Sequence, residues 1–219
     1  MTFADVESQQ QRVEAARYVL LRRLTLAMQH RMLKHLQPID MISHVLQRRL
    51  SDPQPDLARV GADMEKVHGF TRDAVGANLD VVSWLAPEGD ERIALDRGVD
   101  ECLALLRSHF GFRGYHLCRA PSAAVEAVPR AAMRTVLTAV LFGLCDEARA
   151  PAQVTVRAPG TATFPCVDVA VESMPGEAPK YQLSYRRFGW DEVQALAEDE
   201  GVTLRRSAGS ARLQFARLA

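Results

Sequence analysis

Apolar side chains recur at helical spacing through the first quarter of the chain. Residues 6–50 contain no glycine and a single proline, and two mostly apolar heptad series run along them. The first series is Leu21, Met28, His35 and Ile42, and the second is Thr25, Met32, Ile39 and Leu46. A further apolar set, Leu26, Leu33, Leu36 and Leu50, lies on a neighbouring face. The pattern predicts one helix of about 45 residues, whose two apolar faces need more than one packing partner.

A second helix is predicted directly after the first. The segment SDPQPD at residues 51–56 combines two prolines with acidic residues, which is typical of a turn followed by a helix start. An apolar stripe then extends to Leu85, and its members are Leu57, Val60, Met64, Val67, Ala74, Val75, Leu79 and Val82. Because a lone helical hairpin leaves much apolar surface exposed to water, we expect two copies to pair into a four-helix bundle.

The pattern changes beyond Pro87 to short β-like runs that alternate with helices. Strands are predicted at 92–95, 115–119, 124–128, 153–158, 167–171, 181–185, 202–206 and 212–217, and helices at 96–110, 129–148 and 191–200. The order predicts an α+β protein, with three helices on one face of a largely antiparallel sheet. We expect two domains, a dimerisation hairpin at residues 1–86 and an α/β sandwich at residues 87–219.

Charge and composition narrow the classes of partner. The chain has 27 basic and 27 acidic residues, so it lacks the positive field on which nucleic-acid binding depends. Its longest apolar run, residues 136–145, is too short to span a bilayer, and the N-terminus does not resemble a secretory signal. The four cysteines are far apart in apolar segments, which favours buried free thiols. The sequence therefore predicts a cytoplasmic protein that binds neither nucleic acid nor membrane.

A long helical hairpin followed by this α/β order resembles the core of bacterial sensor histidine kinases, over the whole chain. The sharpest local likeness is HRMLKHLQ at residues 30–37, which is similar to the H-R-V-K-N-N-L-Q box of one subfamily. The resemblance implies a phosphorylated histidine, which must be exposed on a rigid helix. His30 lies on a polar stripe with Arg23, Gln37 and His44, whereas His35 lies on an apolar seam. His30 is therefore the expected phosphoacceptor, with His44 as the reserve candidate.

The basic residues near His30 also have an expected role. Arg31 and Lys34 lie within one turn of it and would offset charge on a phosphoryl group in transit.

The second half departs from the nucleotide-binding pattern of that family. Those kinases hold Mg²⁺ with an asparagine near the end of a long helix. Residues 141–148 resemble that segment, but Glu147 lies in or near the position of the asparagine. The following D-x-G-x-G box corresponds to Glu172–Gly176, which keeps one glycine and has Met174 in place of the other. The connection to the last helix is short, and its only glycine is Gly189. We therefore expect a degenerate nucleotide site, with no cofactor or metal of its own and with Mg²⁺ supplied by a partner receiver domain.

The resulting hypothesis is a homodimeric histidine phosphotransferase that relays a phosphoryl group between receiver-domain aspartates through His30. Its expected partners are response-regulator receiver domains or a hybrid histidine kinase. Two alternatives stay open. One is a regulatory pseudokinase that binds a kinase or response regulator without passing phosphate, and the other is a divergent active kinase.

Overall fold

The computed structural model describes residues 3–85, 91–122, 124, 126–159, 164–177 and 186–216. Its helices are α1 (Phe3–Leu50), α2 (Leu57–Leu85), α3 (Leu95–Phe112), α4 (Arg130–Glu147) and α5 (Trp190–Asp199). Its strands are β1 (Arg92–Ala94), β2 (Tyr115–Arg119), β3 (Ala127–Pro129), β4 (Ala152–Arg157), β5 (Cys166–Ser173), β6 (Thr203–Ser207) and β7 (Ser210–Gln214). The predicted α+β class, with long N-terminal helices followed by a mixed sheet, is confirmed. The strand expected at 181–185 lies outside the described residues.

The chain forms two compact units, residues 26–86 and residues 1–25 together with 87–219. The first unit is the helical hairpin and the second is the α/β unit. The division into domains at 1–86 and 87–219 stays a prediction. In the structure, residues 1–25 pack with the α/β unit.

The α/β unit is built on a five-stranded sheet in the order β2-β4-β5-β7-β6. Only β2 and β4 run parallel, and the other neighbours are antiparallel, as expected. Burial alternates along β4, where Ala152, Val154 and Val156 are fully buried and the residues between them are partly exposed. Helix α4 packs against β5, β7, α3 and α5, which explains why it is apolar on nearly all sides.

The N-terminal part of α1 completes the α/β unit. Its buried residues Val13, Ala16, Leu20 and Leu24 recur at helical spacing. Arg17 donates hydrogen bonds to Asp199 (2.6 Å) and Glu200 (2.7 Å) at the C-terminal end of α5. The long helix predicted from residue 6 to residue 50 therefore contributes to both compact units.

Two aspartates fix the turn and the closed end of the hairpin. Asp56 caps α2, because its Oδ1 accepts hydrogen bonds from the backbone N–H groups of Ala58 (3.1 Å) and Arg59 (3.2 Å). Asp63 is buried, and its carboxylate accepts hydrogen bonds from Lys66 (2.9 Å) and from Arg49 of α1. The hydrogen bond from Lys66, together with the charge of Arg49, lowers the pKa of Asp63 below its ordinary value.

The four cysteines are free thiols, as expected. Cys102, Cys145 and Cys166 are buried, whereas Cys118 is only partly buried.

Candidate functional site

The predicted phosphoacceptor lies on the hairpin unit with its side chain exposed. His30 is exposed on α1, as are Gln37 and His44 further along the same stripe, whereas His35 is half-buried. Arg23, which the sequence places on the same polar stripe, is buried and only 3% exposed. The reason is that Arg23 pairs with a buried aspartate of the α/β unit, described below.

The two basic residues that are predicted to offset phosphoryl charge, Arg31 and Lys34, differ in their surroundings. Lys34 is exposed and lies four residues after His30, which places both on the same face of the helix. Arg31 is turned about 100° away from His30, and its Nη2 lies 2.6 Å from Oδ2 of Asp80 on α2. Arg31 is thus tied to the second helix of the hairpin, whereas Lys34 extends toward solvent beside His30.

The reserve candidate, His44, is bonded to its own helix. Its Nδ1 lies 2.9 Å from the carbonyl oxygen of Asp40 and donates to it. The Asp40 carboxylate is 3.7 Å away. The ring nitrogen of His44 that is left for a phosphoryl group is therefore Nε2.

The carboxylate at the expected metal-holding position is engaged by an arginine. Both oxygens of Glu147, at the end of α4, accept hydrogen bonds from Arg206 of β6 at 2.7 Å. The Arg206 guanidinium also lies 4.4 Å from the ring centroid of Trp190. Arg206 thus bonds both oxygens of Glu147, the carboxylate that the family resemblance places at the metal-holding position.

The degenerate glycine box begins with the last two residues of β5 and continues beyond it, and all five of its residues are exposed. Glu172 and Met174 are both exposed, and the Met174 N–H donates to the carbonyl of Pro151 at 2.9 Å. Gly176 has a φ of +141°, and a Cβ there would lie 3.2 Å from Pro151 Cγ. The backbone conformation and the contact with Pro151 account for this glycine without a nucleotide.

Sequence reasoning missed a buried ion-pair cluster around Asp146. Its Oδ1 accepts hydrogen bonds from Arg23 of α1 (2.8 Å) and from Arg113 (2.6 Å). Its Oδ2 accepts from the backbone N–H of Phe188 (2.9 Å), while Arg23 also donates to the carbonyl of Arg186 (2.8 Å). Asp146 keeps a lowered pKa although burial opposes it, because these donors stabilise the carboxylate.

A buried histidine lies beside this cluster. The ring of His109 on α3 packs edge-on against Phe110 and Phe142, with centroid separations of 5.5 and 5.7 Å. Burial, followed by the charges of Arg113 and Arg23, lowers the pKa of His109 to about 4. His109 lies seven residues after Cys102 and three after Leu106 on the buried face of α3, so helical phase was the signal that could have predicted its burial.

Within the described ranges, no group of three or more His, Cys, Asp or Glu side chains is arranged to hold a metal ion. None of the helices described here combines the length and apolar character needed to cross a membrane.

No family model matches the sequence, and no curated protein matches it. Among solved structures, the catalytic domain of histidine kinase ThkA is similar at 14% identity, with 58% of this chain and 95% of that chain covered and a TM-score of 0.44. A bacterial phosphotransferase is similar at 15% identity, with 89% and 94% covered and a TM-score of 0.39. ThkA in complex with the response regulator protein TrrA is similar at 14% identity, with 98% and 66% covered and a TM-score of 0.41. Likenesses at this level assign neither fold nor function to the chain.

Proposed function

We propose that the chain is a homodimeric histidine phosphotransferase that relays a phosphoryl group between receiver-domain aspartates through His30. The observation that carries the proposal is the exposed imidazole of His30 on a helix of the hairpin, with Lys34 on the same face. Receiver domains of response regulators, or a hybrid histidine kinase, are the proposed partners.

The proposed reaction needs little from this chain beyond a nucleophile and a positive charge. A nitrogen of His30 attacks the phosphorus of a receiver aspartyl phosphate, an N–P bond forms, the P–O bond to the aspartate breaks, and the freed carboxylate stays on the receiver. The proton lost from the ring goes to solvent, and the receiver supplies Mg²⁺. Lys34 would offset charge on the phosphoryl group, because residues at i and i+4 lie side by side on a helix.

The absence of ATP dependence is part of the proposal and is supported by the surroundings of Glu147. A carboxylate bonded through both oxygens to Arg206 would have to give up that pair before it could hold a metal. Freed from Arg206, it would add negative charge beside a triphosphate.

The proposed dimer is supported by the apolar surface of the hairpin. Large apolar side chains that are 42–71% exposed lie along both helices: Leu33, Leu36, Met41, Leu50, Leu57, Met64, Val75, Leu79, Val82 and Leu85. This number of exposed large apolar side chains on one hairpin favours burial against a second copy. Light scattering on Leu79→Glu should show monomers. Phe112→Glu is the matched control, because Phe112 on α3 has the same 65% exposure as Leu79.

The test of phosphotransfer is labelling by phosphorylated receiver domains. We expect His30→Ala to abolish acid-labile phosphate on the chain while fold and dimer persist, and His44→Ala to retain it. If every candidate receiver leaves the wild type unlabelled, the pseudokinase alternative is favoured. Micromolar binding of ATP with Mg²⁺ by the purified protein would instead favour a divergent active kinase.

A further inference from the structure

The ion pair between Arg31 and Asp80 joins the helix that carries His30 to the other helix of the hairpin. The two side chains are 30% and 27% exposed, and their charged atoms are 2.6 Å apart. Arg31 Nε is buried without a hydrogen-bond partner among the described residues. The guanidinium therefore meets Asp80 through Nη2 and keeps one donor, Nε, without a partner among the described residues.

Arg31 is adjacent to His30 in sequence, and its side chain is long and permanently charged. A phosphoryl group on His30 would bring about two negative charges and three acceptor oxygens within the range of that side chain. Asp80 opposes this attraction in two ways, because it holds the guanidinium and because its own charge repels the phosphoryl group. The free energy of the phosphorylated state therefore depends on how firmly Asp80 keeps Arg31.

We propose that Asp80 is a positioning residue that holds Arg31 back from the phosphoryl group and so keeps phosphorylated His30 ready for onward transfer. The inference rests on the proposed function, since it concerns the phosphorylated state of His30. A relay intermediate bound too strongly by its own protein would not pass its phosphoryl group on. The pair at 2.6 Å supplies the restraint.

Exchange with phosphoimidazole measures this effect without a partner protein. In that reaction the N–P bond of phosphoimidazole breaks, an N–P bond forms at His30, and the proton lost from the His30 ring ends on the departing imidazole. Because the bonds broken and formed are alike, the equilibrium constant reports the surroundings of His30. It is read by ³¹P NMR from the resonance that is absent in His30→Ala.

We expect Asp80→Asn to raise this constant about two- to fivefold, the range for release of a partly exposed ion pair. Asp80→Glu, which keeps the charge, should restore the wild-type value. In an Arg31→Gln background, Asp80→Asn should change the constant less than about twofold, because no guanidinium is released. Asp73→Asn is the matched control, since Asp73 is an exposed acid on the same helix. Thermal unfolding of each variant checks that the hairpin remains folded.

Two results would overturn the inference alone: an unchanged constant in Asp80→Asn, or an equal increase with and without Arg31, which would mean that Asp80 acts only by its charge. A wild-type chain without a phosphorylated His30 resonance would overturn the proposed function and this inference with it.

Discussion

His109 should make the α/β unit lose stability as the pH falls below neutrality. Its pKa is about 4 in the folded chain, against an ordinary value of 6.5. Between these values the unfolded chain binds a proton that the folded chain does not, so the free energy of unfolding falls as the pH is lowered. At about 1.4 kcal/mol per pH unit, the full loss is about 3 kcal/mol. Below that window, protonation of Asp146 removes further stability, because the pKa of Asp146 is itself lowered.

The charged groups that face His109 come from three elements. Arg113 at the end of α3 and Arg23 of α1 oppose its protonation, whereas Asp146 of α4 favours it more weakly. The largest cause is burial, so the effect should persist at high salt, where interactions between exposed charges are screened.

Urea unfolding between pH 7 and pH 4 measures this loss. The chain has two tryptophans, Trp84 on the hairpin and Trp190 on α5, so a Trp84→Phe background reports the α/β unit through Trp190 fluorescence. In that background, His109→Phe should remove most of the pH dependence over this range. His116→Gln, which removes an exposed histidine, is the matched control. A His109→Phe profile as steep as the wild-type profile would show that the buried imidazole is not the cause.

Three further predictions concern stability: the first two, in the α/β unit, are tested by the same urea assay, and the third, in the hairpin, by thermal unfolding. Arg23→Met leaves Asp146 without one buried partner and should lower the free energy of unfolding by about 3–5 kcal/mol. Arg17→Met removes a side chain that is itself 38% exposed, although its partner Glu200 is 12% exposed, and should cost about 1 kcal/mol or less. Similar losses in the two variants would contradict the burial argument. Gly98→Ala should destabilise by about 1–3 kcal/mol, because its Cβ would lie 2.7 Å from Met133 Cγ. Gly76→Ala, with nothing within 4 Å, should instead raise the melting temperature of the hairpin.

The helices and most strands of this chain could be predicted from sequence because their patterns are local. The proline-rich turn at 51–56 and the helical periodicity on either side of it predict α1 and α2 to within three residues at each end. The observed bounds of the third strand differ from the predicted ones. Residues 124–128 were expected to be extended, and the observed β3 is Ala127–Pro129, because its partner is the short strand β1 rather than the main sheet. Pairing between distant segments of this kind has no local signature.

The surroundings of the candidate site could be predicted only in part. Helical phase places His30 on an exposed face and His35 nearer the interior, as observed. The same phase places Arg23 on the polar stripe, yet it is buried, because Asp146 lies more than a hundred residues away in sequence and supplies its counter-charge. The Arg31 pair with Asp80 likewise joins two helices, and no spacing within either helix reveals it.

Arginines of the chain pair with both acids at the end of α4. Asp146 is neutralised by Arg23 and Arg113, and Glu147 by Arg206, so the negative charge at this helix end is balanced by arginines of the chain. Acids at a helix C-terminus are otherwise unfavourable, because the helix dipole is negative there. A site that relied on a metal to balance such charges would lose stability without its ligand, whereas arginines balance them permanently. This supports the proposal that the chain acts without nucleotide.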